Sequence, residues 1–194
     1  MIELHLLLFL VTTVLYISYF FSEGKTNVER GLAALRFFTV LSNLFCALAS
    51  LLLAIALVGG FPLRLAWLLK YVSTVAVAVT FTTVMVFLGP QYGYGEMFRK
   101  RDLYFHLIGP LLAIVSFCFT ERFYPLSFAA SLLGELPVIL YGTFYLYKVV
   151  LGPDEGRWDD FYGFNRGGKW PVAFAAMLLG TFLLCVVIRW LYGL

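Results

Sequence analysis

The run Arg36-Phe37-Phe38-Thr39-Val40-Leu41-Ser42-Asn43, which opens an apolar stretch continuing to Val58, decides how this chain is read. From Phe37 to Val58 there is no charged residue, and a stretch of that length spans the roughly 30 Å of hydrocarbon in a bilayer. At helical spacing Arg36, Thr39 and Asn43 fall within one stripe roughly 60° wide, with Ser42 off to its side. A cation, a hydroxyl and an amide are costly in lipid unless they face protein or water, so the stripe is expected to line a shared interior site.

Composition sets the class around that run. The chain has 194 residues, of which 62% are hydrophobic, 19% aromatic and only 13% charged, which is the balance of an integral membrane protein built from helices. The net charge of +3 does not point to nucleic acid, because the basic residues cluster between apolar runs and no DNA-binding motif is present. Cys46, Cys118 and Cys185 each lie inside an apolar run without paired spacing, so they read as small buried hydrophobes rather than disulfides or zinc ligands. Two histidines in different helices, with no carboxylate at ligand spacing, give no metal site, and no cofactor is expected.

Six spans follow, at about residues 3–22, 32–58, 63–88, 103–120, 126–149 and 170–190, forming a single six-helix transmembrane domain over 1–194. The first lacks a basic leading segment and a small-residue cleavage site, so it reads as a mature helix with His5 near its end. Gly59-Gly60-Phe61-Pro62 makes a tight turn, and Pro62 is placed to open the third helix. Lys70, near the start of that helix, reads as a snorkelling side chain. No internal repeat is visible.

Charge then orients the bundle. Lys25, Arg30, Arg99, Lys100, Arg101, Lys148, Arg157, Arg166 and Lys169 fall in or beside loops one, three and five, against Arg64, Arg122 and Arg189 on the other face. This excess puts the odd loops in the cytoplasm and both termini outside a cell membrane.

Depth brings particular residues together. With a rise of 1.5 Å per residue, Arg36, Thr39, Asn43, the threonines Thr80, Thr82 and Thr83, His106 and Glu135 are expected in one polar layer. Pro110 and Pro137 cannot donate to the carbonyls of His106 and Leu133, and each is expected to bend its helix and free a carbonyl that must find a partner. A hydroxyl beside an imidazole is the minimum for nucleophilic acyl transfer: the ring takes the hydroxyl proton as attack begins and returns it to the leaving group. Asn43 or Arg36 is then the candidate for binding the oxyanion, with Ser42, Thr83 and Glu135 supporting the site.

At these residues a family resemblance enters. Arg36 to Asn43, followed by Phe105-His106-Leu107-Ile108-Gly109-Pro110 and by Trp158-Asp159-Asp160-Phe161-Tyr162-Gly163-Phe164, resembles a bacterial branch of the androgen-induced and androgen-dependent membrane proteins. That family has six helices, and its characterised animal members are threonine hydrolases of fatty acid esters of hydroxy fatty acids. The resemblance implies Thr39 as nucleophile and His106 as general base. The asparagine after the threonine comes one position later here than in the animal members, and their histidine motif is richer in histidine.

The first expectation is therefore a membrane-embedded hydrolase of lipid acyl esters whose partners are the bilayer and a lipid or fatty acyl ester substrate, with no nucleic acid. A second is a small proton-coupled transporter in which Arg36, His106 and Glu135 form an ion-pair relay. A third is a non-enzymatic lipid-binding protein whose polar layer holds the helices together. The fifth loop reads either as an interfacial aromatic belt or as a lid hinged at Gly163, Gly167 and Gly168, with Asp159, Asp160 and Tyr162 as its candidate residues and with acids able to pair with Arg36.

Overall fold

Each apolar run becomes a helix, because a helix satisfies its own backbone where no water is present to do so. A computed structural model describes residues 1–22 and 25–194; Glu23 and Gly24 of the first polar linker lie outside the described residues. The chain is an α-helical membrane bundle of α1 (Ile2–Phe20), α2 (Phe38–Leu57), α3 (Leu63–Tyr92), α4 (Tyr104–Thr120), α5 (Phe128–Leu151) and α6 (Trp170–Gly193). All but α4 are long and apolar enough to cross a membrane; α4 is apolar and shorter, about 26 Å. Below, the odd-loop end carries loops one, three and five, and the even-loop end carries loops two and four and both termini.

α2 packs chiefly against α1 and α3, and α4 and α6 complete the core against α3. At the even-loop end Trp67, Tyr71, Phe117 and Tyr192 stack with ring centroids 5.1–6.0 Å apart. Each such pair contributes about 0.5–1.5 kcal/mol beyond its buried area. At the odd-loop end Arg101 lies over the Tyr19 ring at 3.6 Å and donates to Ser18 Oγ, while Thr12 and Tyr104 share a 3.0 Å hydrogen bond, so the start of α4 is tied to α1.

The second span begins later than its hydropathy implies. Phe37 is extended (φ −91°, ψ 130°), separating α2 from a short helix Val28–Ala33 capped by Asn27 and a turn Ala34–Arg36. Two tyrosines satisfy the groups this break leaves. Tyr141 of α5 donates to the Arg36 carbonyl at 2.6 Å, and the hydroxyl oxygen of Tyr162 accepts from the Phe38 N–H at 3.0 Å. Arg36 is thus not on the helix that carries Thr39 and Asn43. The expected three-residue stripe is broken, and Arg36 is exposed.

One local device recurs three times at the odd-loop end. Leu88-Gly89-Pro90, Ile108-Gly109-Pro110 and Leu151-Gly152-Pro153 each follow a π-helical turn: Val84–Leu88, Tyr104–Ile108 and Tyr147–Leu151. In each the glycine N–H reaches the carbonyl five residues back: Val84, Tyr104 and Tyr147. The proline would donate next in that register, to Met85, Phe105 or Lys148, and has no N–H to give. All three carbonyls find another donor: the Tyr94 hydroxyl at 2.8 Å, the Asn43 side-chain amide at 3.0 Å, and the Trp158 N–H at 2.9 Å. At Pro110, therefore, the carbonyl needing a partner is that of Phe105, not His106, because the turn is one residue wider than an α-turn. Pro137 is accommodated in the opposite way. The turn before it, Leu132–Glu135, tightens to 3₁₀, and the Leu136 N–H takes the Leu133 carbonyl.

Candidate functional site

Asn43 joins the two segments that sequence spacing puts in one layer. Its amide donates to the Thr39 carbonyl at 2.8 Å and to the Phe105 carbonyl at 3.0 Å, so one buried side chain ties the first turn of α2 to the turn that carries His106. The amide oxygen points toward Gly109, where a Cβ would stand 3.1 Å from it. Both amide hydrogens are thereby engaged by backbone. Ser42, also buried, shares a 2.9 Å hydrogen bond with Thr80 of α3 and reaches the Thr39 carbonyl at 3.2 Å. Thr83, one turn further along α3, is half-buried.

Thr39 is half-buried in the first turn of a twenty-residue helix, where unpaired N–H groups and the positive end of the dipole lie. The Tyr162 hydroxyl sits over this turn, beside the side chains of Thr39 and Tyr141. Burial pushes the Tyr162 phenol above its ordinary range, so it stays neutral and keeps its proton to donate.

His106 is half-buried, and its Nδ1 lies 2.6 Å from the Met97 carbonyl in loop three. A carbonyl only accepts, so Nδ1 carries the proton and a neutral ring keeps its lone pair on Nε2. The group that orients the imidazole is thus a backbone carbonyl rather than a carboxylate.

The fifth loop is built onto this end of the bundle. Asp160 accepts from the Phe164 and Asn165 N–H groups, both at 2.7 Å, and from the Tyr145 hydroxyl at 3.0 Å, so its carboxylate closes the loop's own turn. Phe161 lies 4.7 Å from the Phe37 ring, and Arg36 sits 5.7 Å over the Trp158 ring. Arg36 therefore meets an aromatic face; among the described residues it forms no ion pair with Asp159, which is exposed, or with Asp160.

Glu135 belongs to another neighbourhood. It ends the 3₁₀ turn in α5 whose Gly134 abuts Val75 of α3 and Cys185 of α6, about 12 Å along α3 from Thr83. Both its carboxyl oxygens are buried without a hydrogen-bond partner among the described residues. Arg36, His106 and Glu135 are not joined by any ion pair there.

A second polar group lies at the even-loop end. Lys70 does not snorkel: it is 0% exposed, and its ammonium donates to Ser50 Oγ at 3.1 Å and Cys46 Sγ at 3.6 Å. His5 of α1 and Glu121, just past α4, are equally buried and approach to 4.0 Å. His5 and Lys70 lie one and two turns in from the same end of the bundle and Glu121 lies at that end, so their shared depth is the signal that could have grouped them.

The class these features define is an α-helical membrane protein with a polar layer at each end of the bundle. No protein-family model, characterised protein or solved structure matches the chain.

Proposed function

We propose that the protein is a membrane-embedded hydrolase of lipid acyl esters, with Thr39 as nucleophile and His106 as general base. The observation that carries this reading is the Asn43 bridge, which ties the Thr39 turn to the Phe105–His106 turn through two backbone carbonyls. The Nδ1–H tautomer of His106 supports it, since Nε2 is left to take a proton. The motif resemblance to the threonine hydrolases points the same way.

The geometry also favours a particular oxyanion binder. Asn43 has no amide hydrogen to spare and Arg36 lies outside α2, whereas the Phe38 N–H at the start of α2 already holds an oxygen, that of Tyr162. In this mechanism the ester carbonyl oxygen displaces the Tyr162 hydroxyl. Thr39 Oγ attacks the carbonyl carbon as its proton passes to His106 Nε2, and negative charge collects at the helix N-terminus. The C–O bond then breaks, the alcohol leaves with the proton from His106, and water repeats the sequence to free the acid. The fifth loop is the lid, and Tyr162 is its plug. The odd-loop end faces the cytoplasm of a cell membrane, so the lipid enters from that leaflet.

Purified protein in bilayer discs, given a long-chain fatty acid ester of a hydroxy fatty acid, tests the assignment. Thr39→Ala is expected to abolish both turnover and labelling by a fluorophosphonate, while His106→Gln slows both by about 10²–10⁴-fold. Undiminished turnover in Thr39→Ala removes the threonine from the mechanism.

A further inference from the structure

The even-loop cluster takes no part in that chemistry and has unmet hydrogen-bonding capacity. Four helices contribute to it: α1 gives His5, α2 gives Cys46 and Ser50, α3 gives Lys70 with Ser73 and Thr74, and the end of α4 gives Ser116 and Glu121. Every one of these is at most 5% exposed. Lys70 has hydroxyl and thiol partners, neither of which carries a formal charge. The Ser73 and Thr74 hydroxyls both donate to the Lys70 carbonyl, and the Ser116 hydroxyl donates to the Ala113 carbonyl.

His5 and Glu121 are left facing each other. Nδ1 and Nε2 of the one and both carboxyl oxygens of the other are buried without a hydrogen-bond partner among the described residues. The 4.0 Å between Nε2 and Oε1 is too long for a direct bond and short enough for one water to bridge. The backbone around Glu121 is fixed: Trp67 Nε1 donates to its carbonyl at 3.0 Å, and Arg122 Nε donates to the Cys118 carbonyl at 2.6 Å. Glu121 is held inward while Arg122, exposed, lies near the Phe119 ring. The N-terminal ammonium is already engaged by Glu3 at 3.0 Å on the exposed start of α1. A buried carboxyl and imidazole that leave four polar atoms unpaired between them are costly as a purely structural element.

We propose that His5, Glu121 and Lys70 form a proton-binding centre, completed by bound water and reached from the even-loop end. With Lys70 charged, Glu121 ionised and His5 neutral, the trio carries no net charge. A hydronium from the aqueous phase gives one proton to the Glu121–His5 pair, leaving water behind and the trio at +1. The path is short, because His5 stands one turn inside α1 and Glu121 is the first residue beyond α4, about 5 Å of helix. The centre is independent of Thr39, so failure of the hydrolase reading leaves it standing.

Infrared difference spectroscopy of the full chain in phosphatidylcholine discs, stepped between acidic and alkaline buffer, reads this directly. Acid is expected to raise a protonated-carboxyl band with a component that is lost in Glu121→Gln and kept in Glu135→Gln and Thr39→Ala. Lys70→Met, which removes the nearby positive charge, moves the midpoint of that band up by about one pH unit or more, ~tenfold in proton affinity. A titrating band left unchanged by Glu121→Gln, or no titrating band at all, overturns the proposal. Should the Glu121 or Lys70 variants fail to fold, a hydrophobic carbodiimide, which adds to protonated buried carboxyls, is used on the unmodified chain. Mass spectrometry is expected to find an adduct at Glu121 that weakens about tenfold for each pH unit above the midpoint, as loss of the protonated form requires. No adduct at Glu121 in either buffer overturns the proposal equally.

Discussion

The two ends of this bundle treat buried polarity in opposite ways. At the odd-loop end nearly every awkward group has a partner: the three carbonyls before the prolines, the Arg36 carbonyl and the Phe38 N–H are each hydrogen-bonded. At the even-loop end three ionisable side chains are fully buried, and two of them have no hydrogen-bond partner among the described residues. One end uses neutral hydrogen bonds to hold irregular backbone still, and the other keeps ionisable side chains buried on, or just past the end of, regular helices. The difference teaches that irregular backbone is tolerated at membrane depth where side chains re-satisfy it, while a regular helix leaves its side chains free to hold something else.

The sharpest way to break the contrast is to remove one member of the charged trio. Glu121→Leu leaves Lys70 as an uncompensated buried charge and is expected to cost about 3–5 kcal/mol of stability. Glu121→Leu combined with Lys70→Met should recover most of that loss, since a buried pair replaced by apolar groups of similar size is often neutral. Reversible unfolding in mixed micelles measures both. If the double variant is no more stable than Glu121→Leu alone, the two residues are not energetically linked.

At the other end the expected losses are smaller and neutral in origin. Asn43→Leu strands the Phe105 carbonyl and should cost about 1–3 kcal/mol. Pro110→Ala restores the missing N–H, so in the Asn43→Leu background it is expected to give part of that loss back; additivity of the two changes would show that Asn43 does not serve the proline turn. Gly152→Ala sets a Cβ 2.7 Å from the Tyr147 carbonyl and should cost about 1–3 kcal/mol, whereas Gly180→Ala, with open space around it, should be neutral or slightly stabilising. Equal effects at the two glycines would mean that the wide turn does not need its glycine.

How much of this was legible in the residues depends on which signal each feature leaves. The helical membrane class follows from hydropathy alone, because bilayer thickness fixes the length of an apolar run. That Asn43 of the second span could reach the start of the fourth, where it bonds the Phe105 carbonyl, follows from depth. The break at Phe37 left no hydropathy signal, since Leu35, Phe37 and Phe38 are as apolar as a span, and two distant tyrosines compensate for it. The proline turns were half legible: that a carbonyl would need a partner follows from proline chemistry, but its identity depends on turn width, which the threefold Leu/Ile-Gly-Pro pattern alone could have signalled. Lys70 was misread because a lysine near a helix end ordinarily snorkels. Only the burial of Ser50 and His5 on two other helices, and of Glu121 just past a third, turns it inward.

The smallest effect concerns Arg36, which the break at Phe37 moved off α2. Its guanidinium lies over the Trp158 ring on an exposed surface, an arrangement worth roughly 0.5–1 kcal/mol. Arg36→Ala is therefore expected to lower stability by no more than about that amount, and Arg36→Lys by less, as a lysine keeps the charge over the ring. An oxyanion-binding arginine would behave differently, because its removal would lower turnover by about 10²–10³-fold while leaving unfolding almost unchanged. Measuring both quantities on the same variant separates the two roles: a large fall in turnover would return Arg36 to the reaction centre, and a small fall in stability alone leaves the start of α2 to bind the oxyanion.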